Sequence, residues 1–518
     1  KGSWLSWDAE VNAAPGPVAD DRLYYTGDGV PKMRIGADTY PLAVPLPSAP
    51  LSVTLSGSGA GDTVDRVYTY TWVTGFGEES EPAPVSNAVT WQPGMTVTLS
   101  GFDNPPSGRA ITKQRIYRSQ TGQSGTYFYF IAERAATAAD FVDTVAVDAL
   151  QEPLPAASYN PPPDDLAGLI AMPNGMMAAF VGKKLYFSEP WQPHAWPEKY
   201  VLTTESAIVG LGAMGTSIVV LTEAQPYMAS GATPDSMQMV KIEQNLPCIN
   251  SRGIVDLGYA IAYPSNEGLV VVRPDGSCSV ATANVFDRER WEALNPASIV
   301  GCQYGGRYTA SFDTFGEDGR RLAGTLLLDI SGASFLIRTD IQAAAAFFEV
   351  ETSRLFYRQT GTNRILIFDA PNAARETLYW KSKQFVLPAP ENFGAIRIDV
   401  DTEIDEGSDN LEEEIAATIA DNDALIAAGS ILGDIASSPV NAVAFAGDIL
   451  APIPSHDAIL QVGVYADGKR VASVTKTGKA SRLPSGFTAR TWEIDVTSNA
   501  QVQAIVVGKT MDDLEMTP

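Results

Sequence analysis

Short apolar runs broken by glycine, proline and asparagine set the pattern of this chain from end to end. Strict alternation marks half-buried strands, and Val67-Tyr68-Thr69-Tyr70-Thr71-Trp72-Val73 is the clearest case. Upstream, Arg22–Thr26, the turn Gly27-Asp28-Gly29 and Pro31–Arg34 predict a β-hairpin. Further short strands are predicted at Val53–Leu55, Met95–Leu99, Gln114–Arg118, Tyr127–Ala132 and Asp140–Asp143.

From Leu166 to Pro390 the pattern becomes a series of strand pairs, each an apolar strand, a Gly/Asn turn and a second apolar strand. The pairs are Met176–Val181 with Lys184–Ser188, Ala207–Ala213 with Ser217–Thr222, Tyr259–Pro264 with Gly268–Arg273, Arg307–Phe312 with Thr325–Ile330, and Arg354–Arg358 with Arg364–Phe368. Ala-rich Ile341–Val350 reads as a further strand because β-type runs flank it. A spacing of roughly 40–50 residues is that of β-propeller blades. Beyond this region Ala395–Asp405 alternates strictly, and strands follow at Ala458–Ala466, Lys469–Thr475, Ala489–Val496 and Gln501–Val507. One helix is predicted near 410–429, with Leu411, Ile415, Ile419 and Ile426 near one face and Gly429 as its stop.

Two proline-rich breakers, Pro45–Pro50 and Asn160–Asp165, bracket a compact unit with the strand count of an immunoglobulin-like sandwich. The segment resembles a fibronectin type III module, with Tyr68–Trp72 as its third or fourth strand. The expected fold is therefore mainly β. Residues 1–46 and 160–390 form a propeller-like core, 47–159 an inserted Ig/fibronectin III-like sandwich, and 391–518 a small acidic β domain carrying the one helix.

Composition changes the picture in a few places. Charged residues are 19% and the net charge is −25. Such a chain does not grip nucleic acid, which demands Lys and Arg on phosphates, yet it suits a channel along which DNA slides. No apolar run is long enough for a membrane-spanning helix. The three cysteines, Cys248, Cys278 and Cys302, are odd in number and widely spaced. They are expected to be buried, reduced thiols, in keeping with assembly in a cytoplasm. The chain opens at Lys1 without a signal peptide, so its start is expected to be processed or to lie further upstream.

Candidate chemistry is sparse. His194 and His456 have no Cys or His at ligand spacing, and His194, in Trp191–Pro197, reads as a structural loop histidine. Gly210-Leu211-Gly212-Ala213-Met214-Gly215 is followed by a strand and so reads as strand and turn, not as a dinucleotide loop. No catalytic residue, cofactor site or metal site is expected. The sharpest local feature is acidic: Asp399, Asp401, Glu403 and Asp405 share one face of a strand with Arg397, while Ile396, Ile398, Val400 and Ile404 share the other. No Lys or Arg occurs between Arg397 and Lys469, and residues 391–518 hold 21 acidic and 8 basic residues, a net of −13. A solvated strand face, an electronegative channel wall that repels DNA phosphate and an oxygen-ligand cation site all fit this stripe.

Three blocks carry a family resemblance. Pro17–Lys32, with Arg22-Leu23-Tyr24-Tyr25-Thr26-Gly27-Asp28-Gly29 at its centre, is similar to a segment of phage tail-tube and nozzle-type proteins. Lys184-Leu185-Tyr186-Phe187-Ser188-Glu189-Pro190, running to Trp196-Pro197, resembles a second, and Trp380–Phe385, leading to Pro388 and Asn392-Phe393, a third. The chain thus resembles the tail tubular protein B-like nozzle family of short-tailed bacteriophages. The resemblance implies a structural virion protein in the tail: a hexameric ring below the head-to-tail adaptor proteins, contacting tail fibres and enclosing the DNA exit channel without binding DNA specifically. It transfers no catalytic residue, and the Ig-like insertion departs from the family's simplest form. Two other readings remain open, a host-glycan-binding or glycan-cleaving propeller and a bacterial surface adhesin with a fibronectin-like module.

Overall fold

The computed structural model describes residues 4–122, 125–146, 149, 152–316, 319–330, 336–370, 373, 375–400, 417–421, 424 and 460–515. The chain is mainly β, built from many small antiparallel sheets. It divides into two compact units, Lys1–Phe368 and Asp369–Pro518.

In the first unit, successive hairpins stack into sheets in strict chain order, as short connections favour. The first sheet comprises Asn12–Pro15, Arg22–Thr26, Lys32–Ile35 and Asp38–Pro41. Its central hairpin pairs Tyr25 with Lys32, and Gly27 and Gly29 take the positive φ that the turn requires. The second sheet begins only at Ala167 and continues through Met177–Val181, Lys184–Phe187 and Leu202–Thr203. The third spans Ile208–Met214 to Gln238–Lys241, the fourth Val255–Asp256 to Cys278–Val280, and the fifth Val300–Tyr304 to Leu336–Thr339. A three-stranded sixth sheet holds Ala343–Glu349, Arg354–Gln359 and Ile365–Ile367, so the Ala-rich run is a strand.

Each sheet packs on the next through its apolar side chains. Tyr24 and Met33 of the first meet Leu169 and Met177 of the second. Phe187 of the second shares a core with Ile218 and Val220 of the third. Val219 and Leu221 of the third meet Ile261 and Val270 of the fourth, and Val271 of the fourth meets Phe312 and Leu326 of the fifth. Fully burying one such side chain contributes about 1.5–3 kcal/mol, so the series is held by its intersheet faces. The glycine-rich run at 210–215 serves this packing: a Cβ on Gly212 would lie 2.8 Å from the Ile261 side chain. The fifth and sixth sheets are joined where Ala343 N–H donates to Ser311 Oγ at 2.8 Å. Trp4, ahead of the first sheet, packs edge-on against Phe356 and Phe347 of the sixth, at centroid distances of 5.2 and 6.3 Å.

Residues 52–143 interrupt the series between the first and second sheets. They form two three-stranded sheets, one of Gly125–Ala135, Ile111–Gly122 and Tyr68–Thr74, the other of Phe141–Asp143, Thr96–Ser100 and Ser52–Ser56, with a small pair Val64–Arg66 and Val89–Trp91. The two sheets share one core around Tyr68, Tyr70, Trp72, Leu99 and Ile116.

The second unit sets two sheets around Ile396, Ile398, Val462, Val464, Trp492 and Val496. One consists of Ser481–Arg482, Ala395–Val400 and Val502–Gly508. The other is ordered Leu378–Lys381, Ala489–Ser498, Leu460–Ala466 and Lys469–Val474, with Phe385–Glu391 also paired to Ala489–Ser498. Leu378–Lys381 and Phe385–Glu391 thus pair within this unit, which reaches back past the expected start at 391. The predicted helix near 410–429 lies largely outside the described residues, of which 417–421 are helical. Among the described residues no helix is long and apolar enough to cross a membrane.

Candidate functional site: an acidic strand and an aromatic sheet edge

The strand Ala395–Val400 buries Ile396 and Ile398 completely and turns Arg397 and Asp399 to the other face, as its alternation predicts. Asp399 is not a bare carboxylate there. Arg397 Nε lies 3.1 Å from Asp399 Oδ1, and Arg397 Nη1 donates to the Leu514 carbonyl at 2.7 Å. Asp401, Glu403 and Asp405 lie outside the described residues. Among the described residues no three His, Cys, Asp or Glu side chains are grouped so as to hold a metal ion. His194 is buried in the loop between the third and fourth strands of the second sheet, and Cys248, Cys278 and Cys302 are buried free thiols. His456 lies outside the described residues.

A different feature of the second unit stands out. Leu378, Tyr379 and Trp380 are 49%, 67% and 48% exposed, and Phe385 and Val386 are 46% and 65% exposed. Side chains of a strand point alternately to its two faces, so exposure of three consecutive residues means that neither face of Leu378–Lys381 is covered. The strand also ends its sheet, with Ala489–Ser498 on one side and no further strand on the other among the described residues. Ser382 keeps the two short strands in line: its N–H donates to the Ile494 carbonyl at 2.8 Å, and its Oγ accepts from the Ile494 N–H at 2.9 Å. Leu378–Lys381 and Phe385–Glu391 therefore run as one kinked edge along the same neighbour. Lys381 Nζ sits 5.1 Å from the Tyr465 ring centroid and pairs with Glu493 at 3.6 Å. A long apolar sheet edge open to water is a template for pairing with another chain.

Sequence reasoning passed over this edge as a site. Its signal is the unbroken run Leu378-Tyr379-Trp380, since three consecutive apolar residues in a half-buried strand leave at least one facing water. The third resembling block, Trp380–Phe385, falls on this edge. The first block leads through the central hairpin of the first sheet, and the second runs past Trp191, which is 53% exposed with φ of 62°. Trp191 borders a shallow groove of about 350 Å³ with Pro15, Pro17, Met172, Pro173 and Gly175.

No family model and no curated protein matches the sequence. Solved structures give loose likenesses. A dihydro-heme d1 dehydrogenase, NirN, is 10% identical with a TM-score of 0.27, over 60% of this chain and 65% of its own. The chain thus spans slightly less than two thirds of that protein. A quinonprotein alcohol dehydrogenase-like protein from Bacteroides thetaiotaomicron is 10% identical at a TM-score of 0.28, over 63% and 79% of the two chains. Sqt1 of Saccharomyces cerevisiae is 10% identical at 0.29, over 71% and 87%. Likenesses this loose bear on neither the activity nor the detailed architecture of this chain.

Proposed function

We propose that this chain is a structural subunit of a short-tailed phage tail, of the nozzle type, six copies of which form a ring around the DNA exit channel. The observation that carries the reading is the aromatic sheet edge at Leu378–Lys381 and Phe385–Val386, whose five exposed apolar side chains call for a partner surface. In this reading the six consecutive sheets of the first unit are blades of a β-propeller, with Trp4 tying the last blade to the chain's beginning. Residues 52–143 are an inserted Ig-like or fibronectin III-like module. The role is mechanical, not catalytic: adaptor proteins sit above the ring, tail fibres dock on it, and DNA passes without specific contacts. The acidic last quarter, net −13 over 391–518, suits a wall that phosphate does not stick to. The protein is then made in the host cytoplasm and resides in the virion tail.

Mass photometry and negative-stain electron microscopy of the full chain test this directly. The expected result is a closed ring with a central pore. A chain that stays monomeric up to high micromolar concentration overturns the reading. Exposed Trp191 beside its proline-lined groove favours a second reading, glycan attachment, because an aromatic face suits stacking on a sugar ring. Binding on a glycan array that Trp191→Ala abolishes supports that alternative.

A further inference from the structure

Among the described residues the sheet that carries the aromatic edge has a second open edge, Lys469–Val474, and the two edge strands run in opposite directions. Leu378–Lys381 runs antiparallel to Ala489–Ser498, which runs antiparallel to Leu460–Ala466, which runs antiparallel to Lys469–Val474. With four positions in strict alternation, the outermost strands necessarily point in opposite directions. A copy of the chain related by rotation about an axis along the strands presents its Leu378–Lys381 antiparallel to the first copy's Lys469–Val474. The even number of positions therefore lets the sheet continue from copy to copy as one antiparallel sheet, and such head-to-tail contacts close into rings.

The basic edge narrows where pairing can occur. A bulge after Val464 leaves Val471 unpaired on the outer strand, with Lys469 and Arg470 beyond it. Bulges and cations blunt a sheet edge, so this end of the strand is shielded. Past the bulge, Ala472, Ser473 and Val474 run straight against Val464, Gly463 and Val462. This stretch is short, like the four-residue strand Leu378–Lys381 it would meet.

We infer that the partner of the aromatic edge is the Ala472–Val474 stretch of a second copy of this chain, joined to it by strand addition. The inference rests on the ring reading above and adds its contact. Backbone hydrogen bonds supply the pairing, and Tyr379 and Trp380 are covered as the neighbouring sheet arrives. An isologous contact of Leu378–Lys381 with itself is also antiparallel, but it ends at a dimer and leaves the basic edge open.

Paired cysteines distinguish these contacts. Tyr379→Cys and Ser473→Cys in one chain lie three strand spacings apart and two residues out of line, about 16 Å, beyond a short bismaleimide. The native cysteines are buried. The double variant is expected to yield a ladder of covalent oligomers, with crosslinking about tenfold above either single variant because contact raises the effective thiol concentration. Crosslinking of Tyr379→Cys alone at the double variant's level overturns the inference in favour of self-pairing. Rings that form by mass photometry without crosslinking overturn the contact and leave the ring reading standing, whereas monomers overturn both. Amide exchange on the unmodified protein gives an independent readout. Residues 378–381 and 472–474 are expected to gain protection together when rings form, and a gain at only one of the two edges overturns the pairing.

Discussion

Nε2 of His194 lies 2.9 Å from the carbonyl oxygen of Glu79, in a contact buried between a loop within the second sheet and a turn of the insertion. A carbonyl only accepts, so Nε2 carries the proton and the neutral ring leaves Nδ1 bare. Nδ1 has no hydrogen-bond partner among the described residues. The Tyr159 ring meets the imidazole edge-on at 5.9 Å, and Glu78 and Arg109 are the charges that act on it.

That contact predicts an acid-sensitive junction. Burial holds the His194 pKa below its ordinary 6.5, and Arg109 adds to this, while Glu78 and the bond to Glu79 oppose it. The unfolded chain therefore takes up the proton first as pH falls. His194's contribution is full above 6.5 and is lost as pH drops from there through the folded value. By pH 5.5 the loss reaches up to about 1.4 kcal/mol. His194→Gln keeps a donor for Glu79 and does not titrate. Thermal unfolding between pH 7.5 and 5.5 is expected to fall less steeply for the variant than for the unmodified chain, and equal slopes refute the assignment.

The same junction holds a buried ion pair. Arg109 Nη2 lies 2.7 Å from Glu78 Oε2, with both side chains almost wholly enclosed, and also donates to the Leu42 carbonyl beside the first sheet. Arg109→Met leaves the Glu78 carboxylate buried without its counter-charge, a change that costs about 3–5 kcal/mol. Protection of the Tyr68–Thr74 amides is expected to drop accordingly. Glu78→Leu combined with Arg109→Met removes both charges and is expected to recover most of the loss.

Burial also pushes the Cys248 thiol up to about 12 and the Cys302 thiol up to about 11, and it raises Cys278. The thiolate is the nucleophile, so native protein at pH 8 is expected to resist iodoacetamide. Denatured protein takes up three equivalents. Rapid native labelling of any of the three would show that its surroundings open readily.

Trp380→Lys tests the aromatic edge without testing the fold. The side chain is about half exposed, and surface changes of this kind shift stability by only about 0.5 kcal/mol. The melting temperature is expected to stay unchanged while ring formation is lost or moves to higher concentration. Unchanged assembly would place the contact elsewhere.

Local strand structure was legible in the sequence because alternation and turn chemistry are local. Ser217–Thr222 is a strand with the predicted bounds, and Lys184–Phe187, Gly268–Val272 and Lys469–Val474 fall within a residue of theirs. Long-range pairing left no such mark. Leu378 pairs with Ser498, and nothing within a short window reveals that partner, so the sequence pattern alone places the edge with the preceding domain. Of the acidic stripe, the shared face of Arg397 and Asp399 was legible from alternation, but that the Arg397 guanidinium answers Asp399 was not. His194 was read correctly as a loop histidine. Its tie to Glu79 depends on an insertion that brings residues far apart in the chain together.

Trp4 and the aromatic rings it packs against, Phe347 and Phe356, leave the ribosome at very different times. At about 5–20 residues per second, roughly tens of seconds separate them. The insertion, with a core of its own, is complete early in that interval. The sheet series is not, because its first aromatic anchor must wait for the last sheet to be made. Nascent chains of this protein thus spend most of their synthesis with one finished module and an unclosed series of sheets, and it is in that window that chaperones have the most to cover.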